Sequence, residues 1–419
     1  MKLSDEESNN LLMLIEAYIN LDKSKGKDIT YDSIKAYIDK GVNLSGLKID
    51  QDDYNKLFTK IEYQFKITHT ESEVIFDEYD NIDQWYDPGK IQNNFFWDRY
   101  RKYLVSKSSL DTKSINMMDL KTLPEIINCL SDPKKDFDGK QFRRGLIIGD
   151  VQSGKTATYI GMICKAADAG YKVVILLAGI TESLRQQTQE RVDEGIIGLT
   201  KKKSGKDLLT RKVGVGLDNL PVSATSFTSC ASDFVANSDN IATSLEEHKS
   251  LVLFVIKKNV SVLQKLYTWL KDYNLDPLKG YVDQPLLLID DEADNASVNT
   301  HRDETDPTRT NKLIRNICNL FKNSTYVGFT ATPFANIFID PDSVDSMKQA
   351  DLFPKHFIYI LPTPSSYIGA DKIFYPNGPE HQNLRYIDDI EEPDYLSQEY
   401  IDLKRDKPDV LNSGTLVST

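Results

Sequence analysis

The sequence predicts an α/β protein: a parallel sheet with helices on both faces, preceded by a mostly helical N-terminal region. Two observations lead there. From Arg144 onward, short apolar runs of strand length alternate with stretches of helical pattern, the signature of strands joined by crossover helices. Before about residue 140 the chain instead carries helix-start signals and apolar stripes at helical spacing.

In the N-terminal region, Ser4-x-x-Glu7 is a capping-box pattern ahead of the stripe Leu11, Leu12, Leu14, Ile15 and Ile19. Thr30 is placed to cap a second short helix that Gly41 would close, and residues 52–65 read as a third. An aromatic cluster follows: Trp85, Tyr86, Phe95, Phe96, Trp97, Tyr100 and Tyr103. Large aromatics bury readily, so core packing against the next domain is the expected use, with stacking on a nucleotide base as the alternative.

The strand candidates are 146–148, 173–177, Leu251–Ile256, 286–289 and 326–329. The helices between them are Lys155–Ala169, 182–194, Val260–Tyr273 and 309–321. Beyond about residue 340 the chain turns irregular and acidic, with 357–361 as one more strand candidate. The expected division is an accessory region at 1–140, a nucleotide-binding domain at 141–345 and the start of a following region at 346–419.

The 419 residues are 40% hydrophobic and 27% charged, enough apolar material for a sizeable core. A net charge of −12 argues against a wholly basic surface that coats nucleic acid, while leaving room for a local basic groove. Cys129, Cys164, Cys230 and Cys318 have no paired spacing and suit a reducing compartment. The start is too polar for a signal peptide and no apolar run is long enough to span a membrane, so the expected location is the cytoplasm. The five histidines show no ligand spacing.

Gly149-Asp150-Val151-Gln152-Ser153-Gly154-Lys155-Thr156 fits G-x-x-x-x-G-K-[ST] directly after a strand and before a helix, the context that the motif requires. Its glycines let backbone N–H groups face phosphates, and the helix N-terminus adds a favourable dipole. Gly149, Gln152, Ser153, Gly154, Lys155 and Thr156 are therefore the expected ATP contacts. Lys155 would reach the β and γ phosphates and the Thr156 hydroxyl would hold Mg2+.

Leu286-Leu287-Leu288-Ile289-Asp290-Asp291-Glu292-Ala293-Asp294 is an apolar strand ending in acids. Phosphoryl transfer to water needs one carboxylate on the metal and a second to orient or deprotonate the water. Asp291 fits the first role and Glu292 the second, with Asp290 the competing ligand in a shifted register. Thr330-Ala331-Thr332-Pro333 ends another strand candidate. Small hydroxyls there suit a link between a phosphate sensor and a neighbouring domain.

Taken in order, these segments resemble the first motor domain of superfamily-two helicases and translocases, which has a RecA-like P-loop NTPase fold. The loop corresponds to their first motif, Asp291-Glu292-Ala293-Asp294 to the second (the DEAD motif) and Thr330-Ala331-Thr332 to the third. Longer strings are similar to the Z-one endonuclease-domain family: Val151-Gln152-Ser153-Gly154-Lys155-Thr156-Ala157, Gln187-Thr188-Gln189-Glu190-Arg191, Lys257-Lys258-Asn259 and Tyr326-Val327-Gly328-Phe329 continuing to Asn336. Asp351-Leu352-Phe353-Pro354 and Tyr367-Ile368-Gly369-Ala370 extend that likeness. It implies a bacterial, ATP-dependent, DNA-directed helicase or translocase of restriction or phage defence, encoded beside methyltransferases and histidine-kinase-type ATPases. The resemblance also implies a second motor lobe carrying an R-G-L-T-like segment with an arginine finger. No such segment precedes Thr419, and the expectation is a truncated motor that binds nucleotide better than it hydrolyses it.

Candidate nucleic-acid contacts are Arg185, Gln187, Lys257 and Lys258, with Leu184, Thr188 and Thr225-Ser226 beside them. Lys201, Lys202, Lys203, Lys206, Arg211 and Lys212 form the densest basic stretch, read either as a solvated loop or as a further contact. Two other functions stay open. A nuclease would need a D…(D/E)-x-K cluster, for which Asp402-Leu403-Lys404 is too weak. A nucleotide-gated scaffold would control a partner nuclease without moving DNA. A GTPase is disfavoured because no N-K-x-D segment is present.

Overall fold

The computed structural model describes residues 3–25, 29, 31–65, 73–77, 84–91, 93–107, 110, 112–149, 154–204, 207–218, 223–235, 244–248, 250–295, 297, 308–337, 339, 351–362 and 373. They fall into two compact units, one built on residues 1–67 and the other on 68–364.

The first unit is helical: α1 (Asp5–Ser24), α2 (Tyr31–Ser45) and α3 (Gln51–Phe65). The capping box at α1 is formed, with Ser4 Oγ accepting the Glu7 N–H and the Glu7 carboxylate accepting the Ser4 N–H. Leu11, Ile15 and Ile19 of α1 bury against Ile34, Ile38, Leu57 and Ile61. Gly41 does not end α2, contrary to the sequence expectation. It lies inside the helix, where a Cβ would press on Ile15, so the missing side chain lets α1 and α2 approach closely. Thr30 lies outside the described residues.

The second unit is built on the strands β1 (Glu73–Phe76), β2 (Gln141–Ile148), β3 (Val173–Ala178), β6 (Ala224–Ser226), β7 (Leu251–Ile256), β8 (Leu286–Asp291), β9 (Asn323–Thr330) and β10 (Phe357–Ile360). They form one eight-stranded sheet in the order β1-β10-β2-β9-β8-β3-β7-β6. All neighbours are parallel except β1, which pairs antiparallel with β10. A separate antiparallel hairpin joins β4 (Leu199–Ser204) to β5 (Asp207–Lys212).

Period-two alternation divides each central strand between two cores. Val174, Leu176 and Ala178 of β3, with Leu287 and Ile289 of β8, face one side. That side is covered by α4 (Phe95–Lys107), α5 (Thr112–Met117), α6 (Leu123–Cys129) and α7 (Lys155–Ala169). Val173, Ile175 and Leu177, with Leu286 and Leu288, face the other, against α9 (Val260–Tyr273) and α10 (Arg309–Leu320). Helices thus cover both faces, as the sequence predicts for a RecA-like sheet.

Tyr86, Trp97 and Tyr100 are buried among Tyr159, Ile160 and Ile163 of α7, with Trp85, Phe96 and Tyr103 at the margin. The aromatic cluster is packing material. Asp168 at the end of α7 accepts the Phe96 and Trp97 N–H groups at 3.0 and 2.9 Å, which fixes the start of α4. The helices at 95–129, grouped by the sequence with the N-terminal region, therefore lie on the sheet. No described helix is long and apolar enough to cross a membrane, and all four cysteines are buried and free.

β10 docks on β2 with Phe357 opposite Gly145, and a Cβ at Gly145 would fall on the Phe357 ring. Gly145→Val is expected to cost about 1–3 kcal/mol through overpacking, seen as a lower urea midpoint. Adding Phe357→Ala to Gly145→Val should cost less than it does in the wild-type background. Strict additivity of the two changes would show that the ring does not depend on the glycine.

Candidate functional site

β2, β9 and β8 end at one edge of the sheet. Ile148 pairs with Thr330, Asp291 pairs with Phe329, and the Gly149 N–H donates to the Thr330 carbonyl at 3.0 Å. Gly149, Thr330 and the acids of β8 thus stand at the ends of adjacent strands, about 5 Å from strand to strand.

The helix α7 starts at Lys155, immediately after that segment. Its N-cap, Gly154, has φ +82°, in the left-handed region, and a Cβ there would meet nothing within 4 Å. Gly154 brings no capping side chain, so the first-turn N–H groups look to an outside acceptor at the positive end of the helix dipole. Lys155 Nζ folds back to the Gly149 carbonyl at 2.9 Å. The Thr156 hydroxyl hydrogen-bonds Tyr159, whose own hydroxyl is held far from ionisation by burial and then by the nearby Asp291 charge. Gln152 and Ser153, with Asp150 and Val151, lie outside the described residues.

Strand alternation separates the two neighbouring aspartates. Asp290 follows Leu286 and Leu288 toward α9, where it is fully buried. There it takes Lys258 Nζ at 2.8 Å and the Tyr326 hydroxyl at 2.7 Å. The Asp290 carboxylate is committed to these partners and does not face the edge. Asp291 follows Leu287 and Ile289 toward α7. Its carboxyl is pushed up to about 6, chiefly by burial and then by Glu292, with Lys258 pulling the other way.

Glu292 is exposed and has φ +55°, the one positive value among described non-glycine residues. That backbone costs about 1 kcal/mol. Several contacts hold it in place. Lys258 Nζ donates to the Glu292 and Asn295 carbonyls, the Asn295 N–H returns to the Glu292 carbonyl at 2.9 Å, and the Asn336 amide reaches the Ala293 carbonyl at 3.2 Å. Ala293 sits over Gly328, where a Cβ would come within 2.8 Å of the Ala293 Cβ.

Asp294 binds both threonines of the next strand end. The Thr330 hydroxyl donates to one carboxylate oxygen at 2.8 Å and the Thr332 hydroxyl to the other at 2.7 Å. The Thr332 N–H closes the turn on Thr330 Oγ1 at 2.9 Å.

The residues expected to touch nucleic acid separate. Arg185 is buried, bound through Nε and Nη2 to Glu182 and through Nη2 to the Ser229 carbonyl. Lys258 is buried on Asp290. Both expectations are corrected on the same ground: a guanidinium or ammonium tied inside the protein does not meet a backbone outside it. Lys257 is half-buried with Nζ 2.9 Å from Glu182, and Gln187 is exposed on α8 (Glu182–Val192). Burial opposes ionisation of Glu182, but hydrogen bonds from Arg185 and Lys257 outweigh it and bring its carboxyl down to about 2.

Sequence reasoning missed the tasks of Asp294, Lys258 and Tyr326. Two hydroxyls at a strand end were a signal for a carboxylate partner. Lys257 and Lys258, adjacent in sequence, gave none that one would turn inward.

Residues 112–335 match the family described as Type III restriction enzyme, res subunit. That stretch is just over half of the chain and contains the loop, the acidic turn and Thr330-Ala331-Thr332. The chain belongs to this family. It therefore carries a superfamily-two helicase-like domain of the restriction-enzyme kind. No curated protein matches the chain.

In this family member, Lys258→Met leaves Asp290 buried without its cation and should cost about 3–5 kcal/mol. Lys258→Met with Asp290→Leu should regain most of that. Thermal and urea unfolding read both; a single variant as stable as wild type would refute the pairing as a structural anchor.

Proposed function

We propose that this chain is the first lobe of an ATP-driven, DNA-directed motor, a translocase or helicase acting in a bacterial restriction or anti-phage system. The observation that carries the reading is the double hold on Asp294. A carboxylate that follows the acids of β8 is gripped by two hydroxyls at the end of β9, the strand that touches the phosphate loop. A change at the nucleotide thereby has a direct path into the segment that continues through Pro333.

ATP with magnesium supplies the phosphoryl group that passes to water. The residues present fit it. Gly149, Gln152, Ser153 and Gly154 would offer loop N–H groups, and Lys155 would leave the Gly149 carbonyl for the β and γ phosphates. Thr156 and Asp291 would hold magnesium, and Glu292 would orient the attacking water. No cluster of three His, Cys, Asp or Glu occurs among the described residues. Magnesium in such sites takes one or two carboxylates and fills its remaining positions with phosphate and water. The strained Glu292 backbone supports its role, since strain of this kind gathers at functional residues.

The charge that develops on the transferred group calls for an arginine, which we assign to a second lobe facing this one. Hydrolysis by this lobe alone is then slow while binding is retained. Membership of the narrower Z-one group and association with methyltransferase or nuclease subunits are part of the same reading.

ATP turnover with and without duplex DNA, measured with the second lobe joined to this one, tests it. Stimulation by DNA is expected, with Lys155→Ala lowering turnover by about 100-fold or more. Thr330→Val with Thr332→Val should keep nucleotide affinity and lose the DNA response. Turnover indifferent to DNA would turn the reading toward a nucleotide-gated scaffold.

The pH dependence follows from Asp291. Its raised carboxyl stays protonated up to about pH 6 and holds no cation in that form. The gain in nucleotide affinity from magnesium should fall about tenfold per unit below pH 6. Titration of a fluorescent ATP analogue reads it. Asp291→Asn should remove both the gain and its pH dependence, and a gain equally large at pH 5 would exclude Asp291 as the ligand.

A further inference from the structure

The β4–β5 hairpin has no part in the sheet and none in the nucleotide site. All six residues of β5 are exposed, including Leu208 at 57% and Leu209 at 56%. Among the described residues β5 pairs with β4 alone, while Thr200 of β4 is buried against the domain, so β5 is the strand left open to solvent. The ribbon's charge names the partner. Lys201, Lys202, Lys203, Arg211 and Lys212 lie on its strands against a single acid, Asp207, in a protein of net charge −12. The register places each cation opposite an uncharged residue: Lys201 to Thr210, Lys202 to Leu209, Lys203 to Leu208, Arg211 to Thr200 and Lys212 to Leu199. Like charges are never directly opposed, so the ribbon carries its positive charge on both faces without direct cross-strand repulsion.

Its direction is fixed by α8. Thr200 hydrogen-bonds Asp193, just past the end of α8, and Lys202 pairs with Glu190, one turn earlier. The ribbon therefore runs back along α8 toward Glu182, the helix end that follows the carboxyl end of β3. That is the edge of the sheet carrying Gly149 and the acids.

We propose that the β4–β5 ribbon is the element that docks duplex DNA, through its phosphates. The proposal rests on the DNA-directed reading and adds where the DNA sits. A two-stranded ribbon matches the width of the DNA major groove. The strands contain no aromatic residue, so the base stacking on which single-strand binders rely is absent from them. Leu208 and Leu209, exposed on opposite faces of β5, add apolar contacts suited to sugar edges and thymine methyls.

The test uses the full chain, Lys201→Gln with Arg211→Gln, and Lys201→Arg as the charge-keeping control. Binding of a 30-base-pair duplex (about three helical turns) is followed by fluorescence anisotropy at several salt concentrations. The double variant should bind at least tenfold more weakly, and its salt slope should shrink by about 0.9 for each phosphate that is no longer neutralised. Magnesium–ATP affinity and circular dichroism should match wild type, and Lys201→Arg should bind duplex like wild type. Unchanged duplex binding by the double variant overturns the ribbon as the docking element and leaves the DNA-directed reading standing. A loss confined to single-stranded RNA overturns it equally. Failure of the wild type to bind duplex at any salt removes the DNA-directed reading itself, and the ribbon proposal with it.

Discussion

The arrangement depends on one buried strand. All eight residues of β9 are buried, and the strand pairs with β2 on one side and β8 on the other. A strand in that position must satisfy every backbone N–H and C=O through its neighbours, because no water reaches it. Its register therefore fixes the spacing between the phosphate loop, the two threonines and the acids. A slip of one residue would turn each side chain to the opposite face.

From that constraint follows a division of labour among four acids that look alike in sequence. Asp290 is spent inside, on Lys258 and Tyr326. Asp291 is turned toward the helix that follows the loop. Glu292 takes a left-handed backbone and reaches solvent. Asp294 is held by Thr330 and Thr332. Lys258 contributes twice, balancing a buried charge and bracing the carbonyls of the strained turn. Breaking such a buried pair on one side leaves an uncompensated charge, which is why it anchors the turn firmly.

Electrostatics separates a tied interior from an open ribbon. Arg185 and Lys257 meet on Glu182 beside the carboxyl end of β3, with the Ser229 carbonyl and Asp233 as further partners. On the β4–β5 ribbon Lys202 pairs with Glu190, and Lys201 and Arg211 are exposed. A protein of net negative charge that gathers cations on one hairpin gives a polyanion a local place to dock while the rest of its surface repels it.

Much of this was legible in the residues. The helical start followed from a capping box and an apolar stripe, because both are local. The parallel sheet followed from apolar runs alternating with helical patterns, and the loop and acidic strand from motifs whose spacing is itself the chemistry. The tertiary structure decided the rest. The strand candidate 326–329 leaves out Asn323, Ser324 and Thr325, yet they begin β9, where Thr325 is met by Tyr171 and Ser131 and Asn323 by the Asp132 carbonyl. Gly41 reads as a helix stop, yet it sits where α1 needs room. Arg185 and Lys258 read as contacts for nucleic acid, yet Glu182 and the Ser229 carbonyl hold the first inside and Asp290 holds the second. A sequence displays the charge and polarity of a side chain. Whether that charge faces water, a carboxylate or a neighbouring strand depends on pairings that exist only once the chain has folded.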